Sequence, residues 1–182
     1  DRLRHEVRIK RKHTGRSGDI LAGQTNRAFF RIYTPANSQL VSVDQVSVPP
    51  DDFFLPASPE AKPLDSLREA EGRVLVSETD KTRMTEEHGL RVYGAWSILP
   101  VGREQTMTII YTTPKPTNGT WSLIWQKQPG TTDDTWEVRF QAPDKTGVTA
   151  YEPISGKGTG GDAGVRWATT AAVTQGFSVS YE

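Results

Sequence analysis

LRVYGAWSILPVG (residues 90–102), TMTIIYTTPKPTNG (106–119), TWSLIWQKQPG (120–130) and TWEVRFQAPDK (135–145) follow one another almost without interruption, and they decide the fold. Leu90, Val92, Gly94, Trp96 and Ile98 share one phase of the first run. Met107, Ile109 and Tyr111 share a phase of the second, Trp121, Leu123 and Trp125 of the third, and Trp136, Val138 and Phe140 of the fourth. Every run ends in Pro or Gly: Pro100-Val101-Gly102, Pro114 to Gly119, Pro129-Gly130 and Pro143-Asp144. Apolar residues at period two between such stops mark half-buried strands joined as an antiparallel meander.

The same texture extends outward. Leu3, His5, Val7 and Ile9 alternate with Arg4, Glu6, Arg8 and Lys10. Ala28–Thr34 (AFFRIYT) and Gln39–Val48 (QLVSVDQVSV) read as two further strands, and Arg73–Ser77 as a short one. Residues 49–72 break the pattern with Pro49, Pro50, Pro56, Pro59 and Pro63, and read as a Pro-rich insertion laid over the sheet and anchored by Phe53, Phe54 and Leu55. Its only helical piece, Leu64–Ala70, is too short to stand without packing. Glu78, Asp80, Lys81, Arg83, Glu86 and Glu87 read as a charged link. Residues 143–164, with Gly147, Gly156, Gly158, Gly160, Gly161 and Gly164, read as a loose segment before closing strands at Val165–Thr170 and Phe177–Tyr181. Nine or ten short strands with almost no helix predict an all-β protein, an antiparallel β-sandwich of immunoglobulin-like or related type. A single domain over 1–182 is expected, with a closed barrel as the structural alternative.

Composition narrows the function classes. The 182 residues include no cysteine, which excludes disulfides, thiolate metal centres and a Cys nucleophile. Lys plus Arg and Asp plus Glu balance at 22 each, which argues against a nucleic-acid partner. No apolar run is long enough to span a membrane. Among the first sixteen residues the charge is nonetheless lopsided, and Arg8, Lys10, Arg11 and Lys12 form a candidate contact for an anionic polymer. The simpler reading is an edge strand that uses positive charge to block edge-to-edge pairing.

Catalytic patterns are weak. His5, His13 and His88 have no metal-ligand spacing, and Ser17 lies in no nucleophile elbow. The carboxylates of residues 78–87 and of Asp133-Asp134 read as solvated loop charge rather than a glycosidase pair. Asp133 with Asp134, or Asp51 with Asp52, would offer oxygens to a hard divalent cation such as calcium, though no cofactor is expected. For stacking on sugar rings the candidates are Trp125 near a strand end, Tyr93 on the phase opposite Trp96, and Tyr151 in the loose segment. Asn118-Gly119-Thr120 fits a glycosylation pattern, but Asn-Gly is equally a tight-turn pair, and the turn is preferred.

Arg31-Ile32-Tyr33-Thr34-Pro35 with Ser38-Gln39-Leu40, Gly89–Trp96 with Leu99-Pro100-Val101-Gly102, Thr108–Tyr111 with Pro114, and Leu123–Gly130 (LIWQKQPG) with Asp133-Asp134 occur in that order. This order resembles the C-terminal extracellular part of a bacterial envelope family catalogued as domain of unknown function 4012. The resemblance spans about residues 31–140. It implies an extracellular portion of a cell-surface protein, anchored to the membrane through a segment absent from this chain, and it implies no catalytic residues. The expected function is therefore a non-catalytic binding or structural module with a protein or glycan partner at the cell surface. Contact through an exposed strand edge or the insertion is the expected mode, and a carbohydrate-binding module is the alternative.

Overall fold

The computed structural model describes residues 2–53, 56, 58–62, 64–126, 135–144, 146–159, 163–170 and 173–182. Nearly all the regular structure is antiparallel strand, as the alternation predicts. The pattern alone pools every run over 1–182. The backbone gathers them into two units, Asp1–Pro114 and Lys115–Glu182, each with its own apolar core.

The first unit contains β1 (Arg2–Lys12), β2 (Asn26–Pro35), β3 (Gln39–Asp44), β4 (Leu75–Val76), β5 (Arg83–Glu87), β6 (Leu90–Leu99), β7 (Glu104–Pro114) and one helix, α1 (Asp65–Glu71). One sheet has the order β1-β7-β3 and the other β2-β6-β5-β4. Val7 and Ile9 on β1, Met107, Ile109 and Tyr111 on β7, and Leu40 and Val43 on β3 meet Phe30, Ile32, Met84, Tyr93 and Ala95 of the facing sheet. The connection from β6 to β7 crosses from one sheet to the other, so these consecutive runs do not pair as the expected meander, and it turns through Gly102 at φ 71°, a left-handed backbone that suits glycine.

Three sequence expectations change here. Residues 83–87 form β5 rather than part of a link, because His88 (φ 51°) and Gly89 (φ 75°) make the two-residue reversal that folds β5 onto β6. The run expected over 39–48 ends at Asp44. Gln45 takes φ 60°, its carbonyl accepts from Gln105 Nε2 at 2.6 Å, and the chain crosses to the other sheet, where Ser47 N–H donates to the Trp96 carbonyl at 2.9 Å. The core-facing phase of β6 is also reversed. Arg91, Tyr93, Ala95, Ser97 and Leu99 alternate on the side toward β1-β7-β3, while Val92, Gly94 and Trp96 lie on the outer side. That outer side is covered as well: Phe53 from the insertion meets Trp96 edge-on at 5.6 Å, and Arg27 lies 4.9 Å from the Phe53 ring. Phe53 thus anchors the insertion as expected, whereas Phe54 and Leu55 lie outside the described residues. Helix α1 forms where the helical piece was expected, buries none of its residues, and is tied to β5 by the Glu71–Arg83 ion pair.

The second unit contains β8 (Thr120–Trp125), β9 (Thr135–Gln141), β10 (Val148–Glu152), β11 (Lys157–Thr159), β12 (Gly164–Thr170) and β13 (Gln175–Tyr181). Its sheets have the orders β10-β13-β8 and β11-β12-β9. The predicted phases of β8, β9 and β13 all point inward, onto Phe140, Val165, Trp167, Phe177, Val179 and Tyr181. Asn118-Gly119 is a turn: Asn118 Oδ1 accepts from Thr120 N–H at 3.1 Å, and Gly119 has φ 64°. The segment expected to be loose holds β10 and β11. Gly156 serves close packing there, since a Cβ at that position would fall 2.5 Å from Trp167 Nε1 and 2.9 Å from Val165 Cγ2.

Candidate functional site

A strand edge decides where charge can collect. β1 lies at the edge of its sheet, and its pleat sends Leu3, His5, Val7, Ile9 and Arg11 toward the core side and the even-numbered residues outward. Of the four cations singled out from sequence, Arg8, Lys10 and Lys12 therefore share the outer face with Arg2 and Arg4. Each is exposed. Arg4 and Arg8 both pair with Glu6, and Lys10 pairs with Glu104 at 2.8 Å. These pairs are solvent-screened and worth little to stability, so the cations stay available to a partner. Beside them, Thr106, Thr108 and Ile110 of β7 and Asp44 of β3 floor a shallow open depression that Glu6, Arg8 and Glu104 border.

Arg11 does not belong to this row. Its odd position turns it inward, where Nη1 donates to Ser97 Oγ at 2.7 Å, Nη2 donates to Asn26 Oδ1, and the guanidinium lies 5.3 Å from the Phe30 ring. Partial burial lowers its pKa. Arg11 is a structural cation at one end of the core.

The aromatic candidates are packed. Tyr93 is 1% exposed, and its hydroxyl bonds Ser38 Oγ at 2.9 Å, so no sugar ring can reach it. The physical reason is the two-sided burial of β6, a central strand on which opposite phase does not mean outward. Trp125 ends β8 on the core phase, 6.4 Å from Trp136, and Tyr151 meets Trp167 edge-on at 6.0 Å. Both are half-buried around the core of the second unit. Asp133 and Asp134 lie outside the described residues. Among the described residues no group of three or more His, Cys, Asp or Glu is placed to hold a metal ion.

One carboxylate in the expected solvated link is buried. Glu87, 6% exposed at the end of β5, pairs with Arg31, accepts from Thr85 Oγ1 at 2.7 Å and from the Tyr33 hydroxyl at 3.3 Å. Burial pushes its pKa up, but the hydrogen bonds from Thr85, Arg31 and Tyr33 and the charge of Arg31 outweigh that and leave it lowered. A carboxylate held ionised by a guanidinium is a structural anchor, and it fixes Arg31 and Tyr33 on the outer face of β2.

That outer face was missed at the sequence level. β2 carries Arg27, Phe29, Arg31 and Tyr33 at every second position, all on one side of its sheet and all exposed. Phe29 lies over Gly94, where a Cβ would fall 2.5 Å from Phe29 Cζ, and it packs on Trp96 at 5.1 Å. The cation–aromatic alternation within NRAFFRIYT was the available signal, hidden because Phe30 and Ile32 made the inner phase look like the informative one. No helix among the described residues is long and apolar enough to cross a membrane. No protein-family model, no curated protein and no solved structure matches the chain.

Proposed function

We propose that the chain is a non-catalytic binding or structural module of a bacterial cell-surface protein, extracellular and held to the membrane by a segment outside this chain. The observation that carries this reading is β1: an eleven-residue edge strand whose outward face bears Arg2, Arg4, Arg8, Lys10 and Lys12 against Glu6. An edge strand leaves half of its backbone N–H and C=O groups unpaired by the sheet. Together with the cation row, these suit a partner that is extended and negatively charged. The envelope setting rests on the resemblance of the motif order, and the partner class rests on charge.

The test is co-sedimentation of the protein with purified Gram-positive cell-wall fragments across a salt series. The wild-type chain is expected to pellet at low ionic strength and to be released as salt rises. The Arg8→Ser, Lys10→Ser, Lys12→Ser triple variant is expected to stay in the supernatant. Equal pelleting of wild type and triple variant would remove β1 as the contact. The second reading, a carbohydrate-binding module, is favoured by Phe29 and Tyr33, which are 38% and 49% exposed.

A further inference from the structure

We infer that the outer face of β2 is a subsite for an acidic polysaccharide, with sugar rings resting on Phe29 and Tyr33 and acid groups meeting Arg27 and Arg31. This deepens the binding-module reading and rests on it.

Geometry comes first. Residues i and i+2 of a strand are about 6.7 Å apart, so Phe29 and Tyr33 stand about 13 Å apart with Arg31 between them. A chain of several sugar units reaches both rings while passing the guanidinium. Each ring is held before any ligand arrives. Phe29 is seated over Gly94 and against Trp96. Tyr33 is fixed by its hydroxyl on Glu87 and by the Arg31 guanidinium, 5.5 Å from its centroid. A platform already in place loses little side-chain entropy on binding.

Chemistry selects the ligand. A pyranose presents one face of C–H groups, slightly positive and apolar, which matches the negative face of an aromatic ring. Arg27 rests on the Phe53 ring without an ion pair among the described residues, and Arg31 bonds Glu87 through Nη2 alone, so a carboxylate on a sugar meets the donors left over, which a neutral glycan would not use. A nucleic acid fits less well. It brings one phosphate per nucleotide, while this face offers Arg27 and an Arg31 already paired with the Glu87 carboxylate, on a chain whose charges balance. The acidic polymer with fewer charges per unit length, and with rings that stack on one side only, is the better match.

Affinity gel electrophoresis under native conditions tests this, with hyaluronate, which carries one carboxylate per disaccharide, in the gel and dextran, polyphosphate and poly(dT) as comparison polymers. Hyaluronate is expected to retard the wild-type chain, dextran to leave it unmoved, and polyphosphate to retard it more weakly. Phe29→Leu and Tyr33→Leu keep apolar bulk but remove the flat ring, and each is expected to raise the apparent Kd about tenfold. Phe29→Tyr keeps the ring and is expected to bind as wild type, which separates stacking from folding. Strongest retardation by poly(dT), or equal retardation of wild type and both Leu variants, would overturn the subsite. If Lys10→Ser with Lys12→Ser abolishes retardation while the Leu variants bind normally, the subsite fails and the β1 contact stands.

Discussion

The two units solve the same packing problem with different materials. The first closes an aliphatic centre of Val43, Ala95, Met107 and Ile109 with tyrosines and seals both ends with hydrogen bonds. At one end Arg11 donates to Ser97, Ser97 to Gln105, and Gln105 to the Gln45 carbonyl. At the other, Thr34, Ser38 and Tyr93 share a hydroxyl chain, and His5 pairs with Thr113. Among its described residues, the second and smaller unit shows almost no such network. It fills its core with tilted and edge-on rings: Trp167 5.2 Å from Phe177, Trp136 5.0 Å from Phe177, and Phe140 5.3 Å from Tyr181. A small domain buries a smaller share of its surface, and large rings deliver the most apolar area per residue. Few residues then carry most of the stability, so the second unit should be fragile at single positions and the first more evenly supported.

The sharpest way to break that contrast is Trp167→Ala. Trp167 is 2% exposed, lies among Tyr151, Phe177 and Val165, and donates its Nε1–H to the Pro153 carbonyl at 2.8 Å. Truncation should cost about 3–5 kcal/mol, comparable to the whole stability of a small domain. Hydrogen exchange should then show β12 and β13 amides unprotected while those of β1 and β7 keep their protection. Equal loss in both units would mean that the cores are not energetically separate.

Gly156→Ala tests the same core from the other direction. The added methyl would meet the Trp167 indole and Val165 at once, so overpacking should cost about 1–3 kcal/mol. Chemical denaturation followed by tryptophan fluorescence reads this, because four of the five tryptophans belong to the second unit. A neutral outcome would show that the rings can shift. In the first unit the matching change is Ser97→Ala, which strands Gln105 Oε1 and removes an acceptor from Arg11. A cost of about 1–3 kcal/mol is expected, measured by urea unfolding.

How much of this was legible depends on what each residue had to satisfy. Strands buried on one face only, such as β1, β8, β9 and β13, show their phase directly in the alternation. β6 does not, because cover on both sides makes both phases apolar and removes the information that assigns Tyr93 to the core. β5 reads as charge because Arg83, Glu86 and Glu87 are charged. The His88-Gly89 reversal and the ladder with β6 make a strand of them, and the charges are then met by Glu71, Arg91 and Arg31, residues distant in sequence or across the hairpin. Gly156 likewise looks like slack until Trp167 is placed on it. At the candidate site, the cation row of β1 is visible in part: residue type groups Arg11 with it, whereas its odd position on the strand turns it inward. The β2 face was visible in principle, since its cations and rings occupy alternate positions.

The smallest effect expected, and the one most specific to the contrast, is a response to acid. All three histidines belong to the first unit. His5 stacks on Tyr111 with ring centroids 4.7 Å apart and nearly parallel planes, and its Nε2 bonds Thr113 Oγ1 at 2.8 Å. Burial lowers the His5 pKa below its ordinary 6.5. Burial, with Tyr93 nearby, pushes the Tyr111 hydroxyl up to about 12, so it stays neutral. The unfolded chain therefore binds a proton at His5 more readily than the folded one. Stability is complete above the unfolded value and declines as pH falls through 6.5 toward the folded value. A second decline follows below 4.5, as protonation of Glu87 ends its pairing with Arg31. Between pH ~7.5 and ~5.5, exchange protection of β1 and β7 should fall slightly while that of β12 and β13 stays flat. His5→Phe keeps the ring stack but cannot titrate, so it should flatten the response of the first unit across that window. If the slope survives in His5→Phe, or if the second unit shares it, the titrating group lies elsewhere and the polar ends of the first core are not what makes it acid-sensitive.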